Sequence, residues 1–467
     1  RKALLDAASR YFDSGGFEQE LARRVSIRTE SQKPDNVGIL RSYLVDEMVP
    51  VFRDMGFTHQ LFENPVAGCG PVLLARRVED ARLPTVLGYG HGDVILGQDD
   101  QWSHGAGPWQ LTRDGERWYG RGTADNKAQH TINMAALRCV LSQRGRLGFN
   151  ALFIIETGEE VGSPGLRAIV ESNMEHFRAD VLIASDGPRV SPEKTTLTLG
   201  SRGSINFDLV VALRDGAHHS GNWGGLIADP AIILSNAIAS IVNARGQIAI
   251  SDWLPPPTND AVKSALRGVQ IAAGEDAPQI DEHWGQPGLT SAEKVYAWNS
   301  FAVLAMKSGN PENPVNAIAP FARAHCQLRY FAGTDENQIL PALREHLDRQ
   351  GFSNVSIDAH PHSNSARFTA SRTEPNHPWV EFADSSVRRT NGEAPVLLPS
   401  MGGSICNDLF THVLGIPAIW VPHSYAGCSQ HAPDEHVLAP LCRNALQVMA
   451  GLYWDIGQAN AHAETKG

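Results

Sequence analysis

Cysteine is scarce in this sequence of 467 residues, and the few cysteines are widely scattered. The six are Cys69, Cys139, Cys326, Cys406, Cys428 and Cys442, and no two of them form a Cys-x-x-Cys pair. This spacing argues against a disulfide framework and against a zinc site built from thiolates. We therefore expect a protein of a reducing compartment, the cytoplasm.

Long apolar runs are also missing. No stretch reaches the roughly 18 apolar residues that a membrane span requires, so we expect no membrane partner. Residues 1–6 are typical of a helix and contain no apolar signal-peptide core. A leader removed before Arg1 would leave no trace in this sequence.

Basic residues are too few for a nucleic-acid-binding surface. The 40 Lys and Arg residues are outnumbered by 51 Asp and Glu residues, which gives a net charge of -11. No basic stripe interrupts this balance, so we expect no nucleic-acid partner. A composition of 42% hydrophobic and 19% charged residues is typical of a soluble globular protein, and 18 histidines make a metal enzyme worth testing for.

Strands alternate with helices in the first part of the sequence. Apolar runs at 72–75, 85–89, 151–155 and 180–184 predict strands, and the periodicity of 127–143 predicts a helix. This alternation indicates an α/β domain with a mixed, mostly parallel sheet flanked by helices.

The pattern changes after Gly200 to strand, helix, strand, strand, helix, strand, which is typical of a ferredoxin-like α+β domain. Within it, residues 254–298 are rich in Pro, Gly and charge, and we expect little regular structure there. Alternating α/β character returns towards the end of the sequence. We predict one α/β domain made of residues 1–201 and 366–467, with residues 202–365 inserted as the second domain.

Two adjacent carboxylates, Glu159 and Glu160, directly follow the predicted buried strand 151–155. Each charge loses water at such a position and repels the other, so the pair requires a cation, a shared proton or both. A solvated acidic turn is the alternative interpretation of the pair taken alone.

Other acidic and histidine residues also stand next to predicted strands and helices. His91 and Asp93 follow one strand, Asp186 follows another, Asp125 precedes a helix, and His431 lies in a loop. Each has an ordinary alternative, such as a helix N-cap for Asp125 or a turn for Asp186. Together they offer imidazoles and carboxylates where α/β folds bind ligands, and this donor set suits zinc, or else manganese or cobalt.

Five motifs occur in one order along the sequence. They are His-x-Asp (91–93), Gly-Arg-Gly-x-x-Asp-x-Lys (120–127), Glu-Glu-x-Gly-Ser (159–163), Ser-Asp-Gly (185–187) and His-x-Pro-Asp-Glu (431–435). In this order the chain resembles, from about residue 20 onward, the co-catalytic zinc peptidase family. That family includes aminoacylase, glutamate carboxypeptidase, carnosinase-type dipeptidases, and the acetylornithine and succinyl-diaminopimelate deacylases. The resemblance implies a catalytic α/β domain carrying an inserted lid and dimerisation domain.

The resemblance also implies two divalent metal ions per subunit, most simply zinc. His91 and Asp186 would hold one ion, Glu160 and His431 would hold the other, and Asp125 would bridge them. The family often has a cis peptide bond after the bridging aspartate, so we expect one between Asp125 and Asn126.

Two further roles at the metal centre are implied. Glu159 would be the general base that takes a proton from the attacking water and later delivers it to the leaving amine. Asp93 would orient the imidazole of His91.

The inserted domain carries substrate-binding candidates through the same resemblance. His219, in a His-Ser-Gly-x-x-Gly-Gly-like segment, would reach the site of a partner subunit and stabilise the oxyanion, which predicts a homodimer. Asn316 and Arg329 match substrate-binding positions, although either residue also suits a purely structural role. A guanidinium is well suited to binding a substrate carboxylate.

Gly402, Gly403 and Ser404 resemble a Gly-Gly-Ser loop whose backbone N–H groups bind a carboxylate in the family. Cys406 stands where relatives usually have proline, and Asp434 stands where they often have asparagine. Neither departure touches an implied metal ligand.

The leading hypothesis is a dinuclear metal hydrolase that cuts an amide bond in a small peptide or an N-acyl amino acid with a free carboxylate. Residues 200–203, the His219 segment and the long stretch 254–298 look most like the dipeptidase branch, which places a dipeptidase or carboxypeptidase first. An N-acyl-amino-acid deacylase is the alternative within the family. A binding homologue without activity is the alternative of a different class, and the presence of Glu159 argues against it.

Overall fold

A computed structural model describes residues 1–271, 279–359 and 369–464 of the protein. None of the helices in these ranges combines the length and the apolar character that crossing a membrane requires. The α-helices are α1 (Lys2–Asp13), α2 (Gly16–Val25), α3 (Val37–Ser42), α4 (Val49–Asp54), α5 (Lys127–Arg144), α6 (Leu166–Ser172), α7 (Ser220–Trp223), α8 (Pro230–Ile241), α9 (Asp260–Leu266), α10 (Ser291–Tyr296), α11 (Ile339–Arg349), α12 (Pro378–Asn391) and α13 (Ala439–Glu464).

The strands range from 2 to 10 residues in length. They are β1 (Thr58–Phe62), β2 (Val72–Arg77), β3 (Thr85–His91), β4 (Thr112–Asp114), β5 (Arg117–Tyr119), β6 (Asn150–Glu156), β7 (Val181–Ala184), β8 (Pro188–Arg189), β9 (Thr196–Thr198), β10 (Gly200–Ser201), β11 (Gly203–Ala212), β12 (His218–His219), β13 (Ser300–Ser308), β14 (Ala317–Ile318), β15 (Phe321–Tyr330), β16 (Ser356–Ala359), β17 (Ser371–Arg372), β18 (Val396–Leu398), β19 (Ala418–Trp420), β20 (Ser424–Tyr425) and β21 (His436–Leu438).

The larger sheet has eight strands in the order β1-β2-β6-β3-β7-β19-β9-β18. Its centre, β6, β3, β7 and β19, is parallel throughout. Strands β1 and β2 add an antiparallel edge, and β19 meets β9 in the antiparallel direction. The prediction of a mixed, mostly parallel sheet flanked by helices is therefore confirmed.

Strand β6 is covered on both faces, which explains why its sequence is apolar without interruption. Phe153 and Ile155 pack into the core that contains α5 and α13, whereas Leu152 and Ile154 pack into the core on the opposite face. Because both faces of the sheet are covered, every residue of β6 is buried.

The smaller sheet is antiparallel, in the order β13-β15-β11-β16. Phe207 and Leu209 of β11 point to one face, where they share a core with Leu234 of α8 and Leu343 of α11. The element order β11-α8-β13-β15-α11-β16 is the predicted ferredoxin-like order. The predicted domain boundary at residue 365 lies outside the described residues, and the division at 201 and 365 stays a prediction.

Residues 254–298 contain two short helices, α9 and α10, and their other described residues form no helix or strand, which agrees with the expectation of little regular structure. Val262 and Leu266 of α9 and Ala292 of α10 are buried in a small separate core with Phe331 and Leu398. The helices are short, and these tertiary contacts rather than local periodicity stabilise them.

The pairing of Gly88 with Phe153 on adjacent strands gives a test of this packing. A Cβ atom added at Gly88 would lie 2.5 Å from Cδ2 of Phe153. We expect Gly88→Ala to lower the free energy of unfolding by about 1–3 kcal/mol because the buried ring must move, as measured by urea unfolding.

The matched control for this test is Gly38→Ala in α3, where an added Cβ meets no atom within 4 Å. We expect the free energy of unfolding to stay unchanged or to rise by up to about 1 kcal/mol in this variant. Equal losses in the two variants would contradict the packing described for β3 and β6.

Candidate metal centre

The predicted metal-binding residues converge at the carboxyl ends of the parallel strands. His91 is the last residue of β3, Asp186 follows β7 by two residues, and Glu160 lies in the turn after β6. Asp125 directly precedes the N-cap of α5, and His431 lies in the loop before β21. Parallel strands end at one edge of a sheet, so residues distant in sequence meet there.

The first cluster consists of His91, Asp125 and Asp186, and all three residues are buried. Nε2 of His91 lies 2.9 Å from Oδ1 of Asp125 and 3.8 Å from Oδ2 of Asp186. One donor atom from each residue lies within 4.8 Å of the others.

The second cluster consists of Asp125, Glu160 and His431. Nε2 of His431 lies 3.0 Å from Oδ2 of Asp125 and 3.0 Å from Oε2 of Glu160. Asp125 therefore belongs to both clusters and offers a different carboxylate oxygen to each.

The donor chemistry fits a pair of divalent cations. Burial, together with the charge of Asp125, raises the pKa of Glu160 to about 7 and that of Asp186 to about 6. Hydrogen bonds to Asp125 and Glu160 raise the pKa of His431 to about 11. Without metal, protons and imidazolium groups offset the carboxylate charges, and a divalent cation in each cluster would replace them.

The peptide bond between Asp125 and Asn126 is cis, as the resemblance to the zinc peptidase family implied.

Asp93 contacts both His91 and the Glu159–Glu160 turn. Its Oδ1 lies 3.4 Å from Nδ1 of His91, and its backbone carbonyl lies 3.1 Å from the same nitrogen. The two carboxylate oxygens also accept hydrogen bonds from the backbone N–H groups of Glu159, at 3.2 Å, and Glu160, at 3.1 Å. The second set of contacts was not predicted, and it fixes the turn relative to β3.

Glu159 is half-buried and belongs to neither cluster. Burial, aided by the charges of Asp186 and Glu160, raises the pKa of Glu159 well above its ordinary value. A carboxyl group with a raised pKa beside a metal site is suited to accepting and returning a proton.

The remaining candidate residues lie in two places. His219 and Asn316 lie together on the β12–β14 ribbon, where the backbone N–H of Ser220 donates to the carbonyl of Asn316 at 2.9 Å. Arg329 of β15 donates to Oγ of Ser404 at 3.2 Å, which brings the Gly402–Ser404 loop next to the smaller sheet.

Arg202 is a residue that the sequence analysis did not single out. Its Nε and Nη2 donate to the carbonyl of Gly402 at 2.9 and 2.6 Å, and its Nη1 donates to Oγ of Ser300 at 3.2 Å. The contact holds the Gly402–Ser404 loop, and only the tertiary structure reveals it.

Glu435, the last residue of the fifth motif, holds the loop that precedes Asp125. One carboxylate oxygen accepts from Nη1 of Arg121 at 2.8 Å and from the N–H of Gly122 at 3.0 Å. The other accepts from the N–H groups of Ala124 at 2.8 Å and Asp125 at 3.1 Å. This carboxylate therefore joins the segments that carry Asp125 and His431.

The family model of peptidase family M20/M25/M40 matches residues 87–455. The match covers most of the sequence and includes both clusters. The protein therefore belongs to this peptidase family and is a hydrolase, which confirms the family indicated by the motifs.

Individual proteins are also similar to this chain over much of its length. The chain is 28% identical to the cysteinylglycine-S-conjugate dipeptidase of Corynebacterium striatum over 334 residues, which cover 69% of this chain and 70% of that protein. It is 31% identical to the beta-Ala-His dipeptidase of Homo sapiens over 466 residues, 93% of this chain and 89% of that protein. The fold matches that of the M20 family metallo-carboxypeptidase Sso-CP2 from Sulfolobus solfataricus with a TM-score of 0.78 and 20% identity, over 95% of this chain and 99% of that one.

The Arg121–Glu435 pair gives a test of how the centre is held, because both side chains are only 1% exposed. We expect Glu435→Ala to lower the free energy of unfolding by about 3–5 kcal/mol, since Arg121 is left buried without its partner. Zinc affinity is expected to fall in the same variant because the N–H of Asp125 loses its acceptor.

The matched control is Glu63→Ala, which removes a carboxylate that is 72% exposed and pairs with Arg41. We expect a loss of less than about 1 kcal/mol there and unchanged zinc affinity. Calorimetric unfolding and zinc titration of both variants measure the two effects. An unchanged zinc affinity in folded Glu435→Ala would contradict the role of Glu435 at the metal centre.

Proposed function

We propose that the protein is a dipeptidase that depends on two divalent metal ions. The shared carboxylate of Asp125 carries this proposal, because it gives two neighbouring donor sets one common member. His91, Asp125 and Asp186 would hold one ion, and Asp125, Glu160 and His431 would hold the other. Imidazole and carboxylate donors without a thiolate favour zinc, with manganese and cobalt as the alternatives.

When bound, the metal ions would polarise the scissile carbonyl and lower the pKa of the attacking water. Glu159 accepts a proton from that water and returns it to the amine of the leaving amino acid. Its raised pKa and its position outside both clusters support this role. Asp93 positions His91 and the backbone of Glu159 through the contacts described above.

His219 is the proposed donor to the oxyanion. Its Nδ1 accepts a hydrogen bond from the backbone N–H of Gly221 at 3.1 Å, so in the neutral ring Nε2 carries the proton and can donate it. The side chain is exposed on the β12–β14 ribbon, which suits a residue that serves the site of a partner subunit.

A homodimer built through the smaller sheet follows from this assignment. Strand β13 is an edge strand of that sheet within the described residues, and it exposes the apolar side chains of Val303, Leu304 and Met306. An unpaired apolar edge is suited to pairing with a second copy of the chain.

Arg329 and the Gly402–Ser404 loop are the proposed site for the substrate carboxylate, with Asn316 as a further contact. Arg329 is half-buried, it donates a hydrogen bond to the hydroxyl of Ser404, and burial lowers the pKa of its guanidinium. A half-buried guanidinium whose described partner is a neutral hydroxyl is suited to an anionic substrate group.

Two observations support a peptide rather than an N-acyl amino acid as substrate. Both curated relatives described above are dipeptidases, and one of them aligns over nearly the whole chain. An N-acyl-amino-acid deacylase remains the second candidate, because the same carboxylate site serves both substrate classes. A cytoplasmic location is also proposed, since none of the six cysteines is in a disulfide.

The roles of the two adjacent glutamates give the sharpest test of this function. We expect Glu159→Gln to keep its zinc content and to lose about 10²–10⁴-fold in kcat, because only proton transfer is removed. Glu160→Gln is expected to lose zinc from the second cluster. Zinc content and kcat are measured on the same preparations.

Glu175→Gln, which changes a carboxylate that is 67% exposed, is the matched control and is expected to alter neither quantity. Equal zinc loss in the Glu159 and Glu160 variants would show that the assigned roles are wrong. Zinc-loaded protein without any amidase activity would support a binding homologue instead.

A substrate panel separates the two candidate activities. Zinc-, manganese- and cobalt-loaded protein is assayed on dipeptides and on N-acetyl and N-succinyl amino acids, and we expect the highest kcat/KM on dipeptides.

Arg329→Ala is expected to raise KM for dipeptides about 10-fold or more, since the substrate carboxylate loses its cationic partner. A C-terminally amidated dipeptide is the control, and Arg329→Ala should leave its already poor turnover unchanged. Preference for the N-acyl substrates would identify a deacylase.

A further inference from the structure

Three buried side chains form a continuous hydrogen-bonded network behind the first cluster. The hydroxyl of Tyr43 lies 2.7 Å from Nε2 of His130, and Nδ1 of His130 lies 3.2 Å from Oδ1 of Asn126. Nδ2 of Asn126 then donates to the backbone carbonyl of Ser185 at 2.9 Å. Tyr43, His130 and Asn126 are each 0% exposed. We refer to these three residues as the buried network.

The buried network has one consistent direction of donation. The carbonyl of Ser185 can only accept, so the amide nitrogen of Asn126 faces it and the amide oxygen faces His130. Nδ1 of His130 must therefore carry the proton, and Nε2 accepts from the hydroxyl of Tyr43. Burial lowers the pKa of His130 well below its ordinary value, which agrees with a neutral ring.

The buried network reaches the segments of all three residues in the first cluster. Asn126 follows Asp125 in the chain, and Ser185 precedes Asp186. The third segment is the strand end at His91, which is flanked by two glycines. A Cβ atom at Gly90 would lie 2.6 Å from Cβ of His130, and one at Gly92 would overlap the ring of Tyr43.

The two residues specific to the second cluster are held by different groups. The turn at Glu160 is held by Asp93, through the N–H of Glu160. His431 lies on a loop and its side chain is 55% exposed. The described hydrogen bonds of the buried network lead to Ser185 and not to either of these residues.

We propose that Tyr43 and His130 are positioning residues that affect the metal affinity of the first cluster more strongly than that of the second cluster. The inference rests on the proposed metal-dependent function. Tyr43 acts through His130, which fixes the amide of Asn126 and through it the carbonyl of Ser185, next to Asp186. Asp186 belongs to the first cluster only. Hydrogen-bonded partners that orient ligands in this way typically contribute about 10–100-fold to metal affinity.

The first test measures zinc affinity by competition with a chromogenic chelator. Tyr43→Phe removes one hydroxyl group. We expect the zinc affinity of one of the two sites to fall by about 10-fold or more. Tyr453→Phe is the matched control, since Tyr453 is 2% exposed and lies on α13, away from the clusters. The control is expected to keep both affinities.

Double variants assign the effect to one cluster. In a Glu160→Gln background the remaining zinc lies in the first cluster, and adding Tyr43→Phe is expected to weaken it about 10-fold. In an Asp186→Asn background the remaining zinc lies in the second cluster, and Tyr43→Phe is expected to weaken it less, because Asp125 is the only residue of that cluster next to the buried network. Equal losses in both backgrounds, or no loss in either, would overturn the inference. Absence of zinc binding by the unaltered protein would instead overturn the proposed function, and the inference with it.

Variants of His130 separate hydrogen bonding from packing. His130→Asn places an amide nitrogen near the position of Nδ1 and can still donate to Asn126, whereas His130→Leu cannot. We expect His130→Asn to retain more first-cluster affinity than His130→Leu, although both lose the ring. Equal affinities in these two variants, with equal thermal unfolding midpoints, would show that the residue acts through packing alone and would refute the positioning role.

Discussion

Carboxylates forced together at the end of a buried sheet are the constraint on which the rest of this structure depends. Asp125, Glu160 and Asp186 approach one another where water is largely excluded, and burial raises the pKa of the last two. Such a group is tolerated only when cations, protons or fixed donors offset it. Much of the surrounding structure fixes the segments that carry these carboxylates. Glu435 holds the segment before Asp125, Asp93 holds the backbone of Glu160, and the buried network holds the backbone beside Asp186.

The parts of this arrangement that the sequence predicts are those with local signatures. An uninterrupted apolar run identifies β6, and polar residues directly after it identify the end of the sheet where the site lies. The motifs indicated His91, Asp125, Glu160, Asp186 and His431, and the structure brings these residues into two adjoining clusters. Their roles as ligands stay predictions, as does that of Glu159.

What the sequence did not predict depends on contacts between distant segments. Residues 37–52 have one helical periodicity, yet the structure has a π-helical segment, Tyr43–Met48, between α3 and α4. The apolar residues of helices α9 and α10 share a core with Phe331 and Leu398, which are distant in sequence. Glu435 stands in a motif, but its four donors lie more than 300 residues away in sequence, at Arg121 to Asp125.

The place of β19 in the larger sheet has a consequence for how this protein is made. Strand β19, near residue 420, lies between β7 and β9, which precede it by more than 200 residues. During synthesis the sheet therefore stays open at its middle until most of the chain has left the ribosome. His431 follows β19 in the chain, so the second cluster lacks one of its residues until this part of the chain has also been made. Folding of this kind has a high contact order and is slow, and it makes metal uptake by the complete centre a late event in the life of each molecule.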